Sequence, residues 1–368
     1  MPNLRDAIRL PKRIKQRFQR RTQPGTGPGV VVADPAAPAP IVRLIQYSSK
    51  HASKVEVTDL DNLAEVLEGG SITWIDVDGL GDADVILRIG EQFGFHPLAL
   101  EDVVNVHQRA KVEMYGDYLF VVARAYSQNG SLDTEQVAMF LGRNYVVSFQ
   151  EREVDCLDAV RRRIAKGQGR IRELGADYLL YSLVDAIVDS YFPALEKHGE
   201  RLDALDEQIA ADAERDLIDQ IHAVRSELLA IRRAVWPLRE ATNALVRDSG
   251  DMISAETDLY LRDCYDHCVQ IIDVIETDRE LCADLRDFYL TVVSNRMNQV
   301  MKFLTIIATL FIPLSFIASL YGMNFNTQAS NLNMPELNWP FGYPFALGLM
   351  LATAGGLLLF FRRNGWFH

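Results

Sequence analysis

The chain has 368 residues and a formal net charge of −12 at pH 7, and its first 22 positions hold eight Lys/Arg against one Asp/Glu, so the remainder is more acidic still. An acidic body suits cations and excludes nucleic acid as a partner, because phosphate binding needs a basic face. Four cysteines, Cys156, Cys264, Cys268 and Cys282, are too few in so long a chain for a disulfide framework and fit a reducing compartment.

Residues 1–40 combine a basic stretch, Arg5 to Arg21, with the run GTGPGVVVADPAAPAP. That composition buries too little apolar surface to offset the entropy of ordering, so a flexible tail is expected. No apolar h-region follows the basic start, so no signal peptide is read there. With Leu4, Ile8, Leu10 and Ile14 among its charges, the basic part either lies on an anionic membrane surface or is solvated.

Across 41–153 short β-rich runs (IVRLIQYS, SITWIDVD, YLFVVARAY, YVVSFQ) alternate with helical or turn signals. The pattern predicts a mixed α/β domain with helices over Asp82–Phe93 and from His96-Pro97 to Val104. No Gly-rich phosphate loop follows any of these strands, so no nucleotide site is expected. Glu101 and Asp102, followed by Asn105 and His107, are either ligands for a hard cation or a solvated helix end.

Residues 154–250 read as an acidic helical region. An apolar helix over 176–192 carries Asp177, Asp185 and Asp189, and an amphipathic pair follows over Leu195–Val246 with a break near Ala210–Asp216. Trp236-Pro237 is a candidate kink in the second member. From Asp251 to Ile312 there is neither Gly nor Pro for 62 residues. One long stalk helix is predicted over 251–320, and its apolar positions Leu261, Ile271, Val274, Leu281, Leu285, Val292 and Val293 call for partner helices.

Two uncharged runs close the chain, 18 residues over Phe303–Leu320 and 17 over 345–361. At a rise of ~1.5 Å per residue each is long enough to cross hydrocarbon as a helix. Arg296 and Lys302 precede the first, Arg362 and Arg363 follow the second in the tail 362–368, and Glu336 is the only charge between them. The positive-inside tendency therefore puts both ends in the cytoplasm and the loop 321–344 outside, with Trp339, Tyr343 and Trp366 at the interfaces.

Two spans cannot enclose a wide aqueous path, so a pore has to be built by symmetry, one helix from each subunit. On the first span Asn298, Met301, Leu304, Thr305, Ala308, Ile312, Ser315, Ser319 and Gly322 recur at three and four residues and share a stripe. It is neutral, with an amide at one end, an apolar middle and hydroxyls at the other. Such a stripe lines a path for a hydrated ion, or else packs helix against helix through its small residues. No nucleophile, base and orienting group come together in a readable motif, so an enzyme is not expected.

The residues that carry a resemblance are Tyr321-Gly322-Met323-Asn324-Phe325, then Met334-Pro335-Glu336-Leu337, Trp339 and Arg362-Arg363. With them go KFLTIIATLFIPLSFIASL, HPLALEDVVNVHQRAKV (96–112), ADYLLYSLVDAIVDSYF, WPLRE (236–240) and YLRDCYDH (260–267). Together they resemble the CorA magnesium channels over nearly all of the chain beyond Ile41. The resemblance implies an α+β, multi-pass protein of the inner (plasma) membrane: a homopentameric funnel with a cytoplasmic α/β domain and a stalk helix running into the first of two transmembrane helices. Asn324 falls on the ring that receives hydrated cation, with Gly322 and Met323 shaping the turn. Ser319, Ser315, Ile312, Leu304, Met301 and Asn298 fall on pore-lining positions. Glu101, Asp102, Asp185, Asp263 and His267 fall on the cytoplasmic positions where Mg2+ bound between subunits holds the pore closed. The expected activity is Mg2+ uptake, with Co2+ as a further substrate.

The physics agrees. Mg2+ dehydrates reluctantly, so neutral amide oxygens can select it through its hydration shell, whereas carboxylates at the mouth would hold it too tightly to conduct. For a divalent ion the membrane potential supplies roughly 4.6 kcal/mol per 100 mV, so uptake needs no ATP site. An acidic cluster that repels itself when metal is scarce and is neutralised when metal is abundant biases a two-state assembly.

The chain also departs from that family. Eight residues, NTQASNLN, separate Phe325 from Met334, a longer connection than the family carries. Ser315 stands where threonine is common, and Ile312 where methionine is. Cys264, His267 and Cys268 on consecutive turns raise a rival, a softer-metal site in a transporter of Zn2+, Co2+ or Ni2+. A second rival is a membrane-anchored cation sensor that conducts nothing.

Overall fold

The computed structural model describes residues 25–366 except 26, 62, 64–66, 68–70, 128–133, 153–154, 213–214, 325 and 327–332. The basic stretch Arg5 to Arg21, Phe325 and most of the 326–333 connection thus lie outside the described residues.

Alternating and continuous apolar runs fold into one seven-stranded sheet: β1 (Ile41–Tyr47), β2 (Ala52–Val57), β3 (Ile72–Asp78), β4 (Lys111–Tyr115), β5 (Tyr118–Tyr126), β6 (Thr134–Leu141) and β7 (Tyr145–Gln150). The strand order is β2-β1-β3-β7-β6-β5-β4. Only β3 and β7 pair in parallel, with Thr73 opposite Tyr145; each other neighbouring pair is antiparallel. Between β3 and β4 stand α1 (Ala83–Phe93) and α2 (Pro97–Val104). They close a core with the Ile75, Val77, Phe120, Val122, Phe140, Val147 and Phe149 face of the sheet. His96 caps α2 by accepting from the Leu98 N–H at 3.2 Å, and Pro97 opens it without a donor to waste.

Residues of opposite parity, Trp74, Asp76 and Ser148, face a second layer that begins with α3 (Asp155–Lys166) and α4 (Ala176–Asp189). Asp76 is fully buried yet fully engaged. It accepts from Ser148 Oγ and Gln150 Nε2, both at 2.8 Å, and from Arg161 through Nε at 3.0 Å and Nη2 at 2.7 Å. Such a buried charge survives only with this many donors.

The expected helix over 176–192 ends at Asp189, and α5 (Phe192–Ala211) starts afresh. Ser190 Oγ accepts from the Tyr126 N–H at 3.1 Å and Tyr191 OH donates to the Arg124 carbonyl at 2.6 Å, so bonds to β5 fix the break. Pro193, with no N–H to continue α4, reinforces it. The second member of the acidic pair, α6 (Arg215–Asp248), continues as one helix through Pro237.

The long helix α7 spans Ala255–Tyr321, 67 residues, and continues through Pro313. Its start is docked on α4. Asp177 accepts from Ser254 N at 2.9 Å and Ser254 Oγ at 2.6 Å, and Tyr260 packs on Tyr178 and Tyr181 with ring centroids 5.2 and 5.3 Å away. Two compact units result, one of residues 1–207 and 218–284, the other of 208–217 and 285–368. In the second, Arg296 pairs with Asp212, and α8 (Gly342–Arg363) ends with Arg362 and Arg363 in its last turn.

Candidate cation-sensing and pore sites

Three of the expected sensing residues come together with one that the sequence did not single out. Asp185 and Asp189 lie one turn apart on α4, and with His267 of α7 they offer ligand atoms all within 4.8 Å of one another. His267 Nδ1 is 3.9 Å from Asp189, and its Nε2 is 3.8 Å from Asp263 Oδ2. The imidazole stands edge-on against Phe192, ring centroids 5.9 Å apart, and its buried Nδ1 makes no hydrogen bond among the described residues.

The electrostatics are those of a site short of positive charge. Burial, and next the charge of Asp189, push the Asp185 carboxyl up to about 6. Asp189 is raised too, first by burial and then by Asp263, against the opposing pull of His267 and Arg163. Carboxylates and an imidazole with an unused nitrogen suit a hydrated divalent ion, and the imidazole admits Co2+ or Ni2+ as well as Mg2+. Asp189 was legible in principle, since i, i+4 spacing puts it on the face of Asp185.

The two thiols of the softer-metal constellation lie inside the protein. Cys264 and Cys268 are both fully buried, and a hydrogen bond to Cys268, together with burial, drives the Cys264 thiol far up from its usual range. Neither thiol reaches the surface, while His267 faces the carboxylates of Asp189 and Asp263.

Glu101 and Asp102 sit on α2, engaged by other groups. Glu101 Oε2 accepts the backbone N–H of Gly29 at 2.7 Å. Asp102 accepts from Gln108 Nε2 and Lys111 Nζ, each at 2.6 Å, and Lys111 also reaches Glu113 at 2.7 Å. The two are therefore ordered carboxylates rather than a loose helix end.

At the far end of α7, Asn298, Met301, Leu304, Thr305, Ala308, Ile312, Ser315, Ser319, Gly322, Met323 and Asn324 are all exposed in the chain. So are Phe303 (63%), Phe311 (59%) and Phe316 (67%), which no soluble core helix would show. Both α7 and α8 hold a stretch long and apolar enough to cross a membrane. Helical spacing puts Phe303, Ile307, Leu310, Leu314 and Ile317 opposite the stripe, so one side of the helix is wholly apolar and bulky while the other carries its amide and hydroxyls at the two ends of an apolar middle. Thr305 Oγ1 turns back to the Met301 carbonyl at 2.8 Å. Pro313 lacks the N–H that the Thr309 carbonyl would otherwise receive in the helix.

Gly322 ends α7, its N–H shared between the Ala318 and Ser319 carbonyls at 3.0 and 3.2 Å; a Cβ there would come 3.2 Å from the Ala318 oxygen. Beyond Asn324, Asn333 Nδ2 donates to the Asn326 carbonyl at 2.8 Å. Met334 then takes left-handed backbone, φ 48°, before the turn Pro335–Asn338.

The chain is similar to known proteins in sequence and in fold. The family described as CorA-like Mg2+ transporter protein matches residues 69–363. The chain is 42% identical over 328 residues to the cobalt/magnesium transport protein CorA of Thermotoga maritima, a match covering 88% of this chain and 92% of that protein. It is 37% identical over 295 residues to the putative metal ion transporter YfjQ of Bacillus subtilis, covering 80% and 90%. The complete structure of the CorA magnesium transporter from Methanocaldococcus jannaschii superimposes with a TM-score of 0.74 over 92% of this chain and 99% of that one, at 22% identity, which shows a shared fold.

Proposed function

The chain belongs to the CorA-like Mg2+ transporter family, a family of membrane transporters and not of enzymes, and on that premise we propose that it is a channel for Mg2+ and Co2+, closed from the cytoplasmic side by bound Mg2+. The observation that carries the reading is the continuity of α7. One helix bears Asp263 and His267 near its start and Ser315, Ser319 and Gly322 at its end, so metal at the first can bias the second.

The working unit is a homopentamer, since one such stripe per chain completes a path only when copies surround an axis. Asn324 receives the hydrated ion, with Gly322 and Met323 holding the turn; Ser319 and Ser315 follow as hydroxyl rings, Ile312, Leu304 and Met301 form the apolar constriction, and Asn298 is the inner amide. Both termini are cytoplasmic. Asp185, Asp189, His267 and Asp263 hold the regulatory cation, and Glu101 and Asp102 serve a neighbouring subunit. Self-repulsion of that acidic set opens the assembly when Mg2+ is scarce, and its neutralisation closes it.

Uptake by the reconstituted protein with Mg2+, Co2+, Ni2+ and Zn2+ in competition tests the substrate class. Block of Mg2+ entry by Co2+ but not by equimolar Zn2+ is expected. Preference for Zn2+ over Mg2+ would replace this reading with that of a transition-metal transporter.

A further inference from the structure

Glu101 carries more than a place in the sensing set. The segment Gly29–Ala39 runs along the α/β domain as a strap, and the Glu101 carboxylate holds its leading end through the Gly29 N–H at 2.7 Å, a contact 72 residues apart in sequence. Gly29 has φ +83°, and a Cβ on it would come 2.9 Å from Pro97 Cβ, so only glycine passes this close over the start of α2. Behind it, Val31 packs on the core of the domain while Val30 and Val32 face solvent. At the trailing end the Gly81 N–H donates to the Pro38 carbonyl at 2.9 Å. Cβ atoms on Gly79 or Gly81 would meet the backbone oxygens of residues 37–39 at 2.4–2.7 Å. Close glycine contacts at both ends and the Val31 side chain hold the strap, and the carboxylate that takes the Gly29 N–H belongs to a residue of the proposed sensing set.

We propose that the strap and the regulatory cation compete for Glu101, so that cation binding there releases the leading end of the strap and a seated strap raises the cation concentration needed for closure. This rests on the reading of Glu101 as a sensing residue. Mg2+ keeps several waters when it binds a carboxylate, and the hydrated ion needs the lone pairs and the space that Gly29 and its peptide fill. The amide proton is itself a partial positive charge on Oε2, and a dication on the same carboxylate repels it. By linkage the coupling is reciprocal: whatever factor the strap takes from cation affinity, the cation takes from strap seating.

Hydrogen exchange of the full-length protein, with and without saturating Mg2+, reads this directly at the amides of residues 29–31. The expected result is exchange faster by about fivefold or more when Mg2+ is present, the low end of ordinary coupling factors, while α4 and α7 around Asp185 and His267 become protected. Gly29→Ala, whose Cβ cannot pass Pro97, should show fast exchange without Mg2+ and reach α4 and α7 protection at correspondingly lower Mg2+. Strap exchange that Mg2+ leaves unchanged or slows, with normal protection of α4 and α7, overturns the competition and spares the sensing set. Glu101→Gln keeps an acceptor for Gly29 but loses the charge. If that variant needs no more Mg2+ for protection than the parent, the sensing role of Glu101 fails and the competition with it.

Discussion

His267 Nδ1 lies 3.9 Å from Asp189 Oδ1, near enough to attract and too far to hydrogen-bond. The geometry holds the two groups, one on α7 and one on α4, without letting them satisfy each other. A cation with its water can fill that gap, and the elements it joins are the ones that Asp177 and Ser254 already clamp together.

Asp263→Ala removes the outermost carboxylate of this group, 66% exposed, and should leave the fold intact. We expect closure by internal Mg2+ to need about fivefold more Mg2+ or greater, within the usual span of coupling factors, with maximal uptake unchanged. Inhibition curves of uptake against internal Mg2+ check this; coincident curves for parent and variant count against Asp263.

Protons and Mg2+ should oppose each other at Asp185. Its carboxyl is raised to about 6 from a usual 3.8, so in metal-free protein the folded state holds a proton that the unfolded state releases. That stabilisation is complete below the unfolded value and is lost as pH rises through about 6. Mg2+ needs the ionised form, so the rise in melting temperature on adding Mg2+ should be larger at pH 7 than at pH 5. Asp185→Asn should flatten much of the difference. Asp78, also raised to about 6, first by burial and then by Asp76, lowers the stability over the same pH window with and without Mg2+, so it cancels from the Mg2+-induced shift.

Asn324→Ala should abolish uptake while the oligomer stays assembled, because the substitution removes the amide oxygen proposed to receive the hydrated ion and leaves Gly322 to make the turn. Uptake and size-exclusion profile together decide it. Transport retained by an intact oligomer removes Asn324 from selectivity.

Arg161→Met should destabilise the α/β domain by about 3–5 kcal/mol, the usual cost of stripping the partner from a buried charge. Asp76, fully buried, would lose two hydrogen bonds, and the packing of the guanidinium on Trp74, 5.7 Å from the ring, would go as well. A thermal denaturation shift measures it, and a melting temperature within a degree or two of the parent would show that the network contributes little.

What could be read from the sequence follows from how each feature is encoded. The spans and the long helix are local: absence of Gly and Pro, absence of charge, and helical spacing are properties of the chain itself. Strands β1, β3, β5 and β7 announce themselves as β-branched and aromatic runs. β2, ASKVEV, and β4, KVEMY, are edge strands whose charged residues mask the pattern. The β6 run EQVAMFL is nearly all buried and shows no alternation. The break after Asp189 was hidden because it depends on hydrogen bonds from β5, beyond any local window. The grouping of Asp185 and His267 needed α4 and α7 brought together, which the resemblance supplied and spacing did not; Asp189 needed only the turn of a helix. The hold of Gly29 on Glu101 spans 72 residues and a backbone donor, which no side-chain motif records.

The central claim is conduction. Purified protein in liposomes, with Mg2+ outside and an inside-negative potential, should admit Mg2+ at a rate that rises with the potential and falls as Mg2+ is loaded inside. No uptake beyond that of protein-free liposomes, from oligomeric protein at low internal Mg2+, would contradict the account and leave a sensor that conducts nothing.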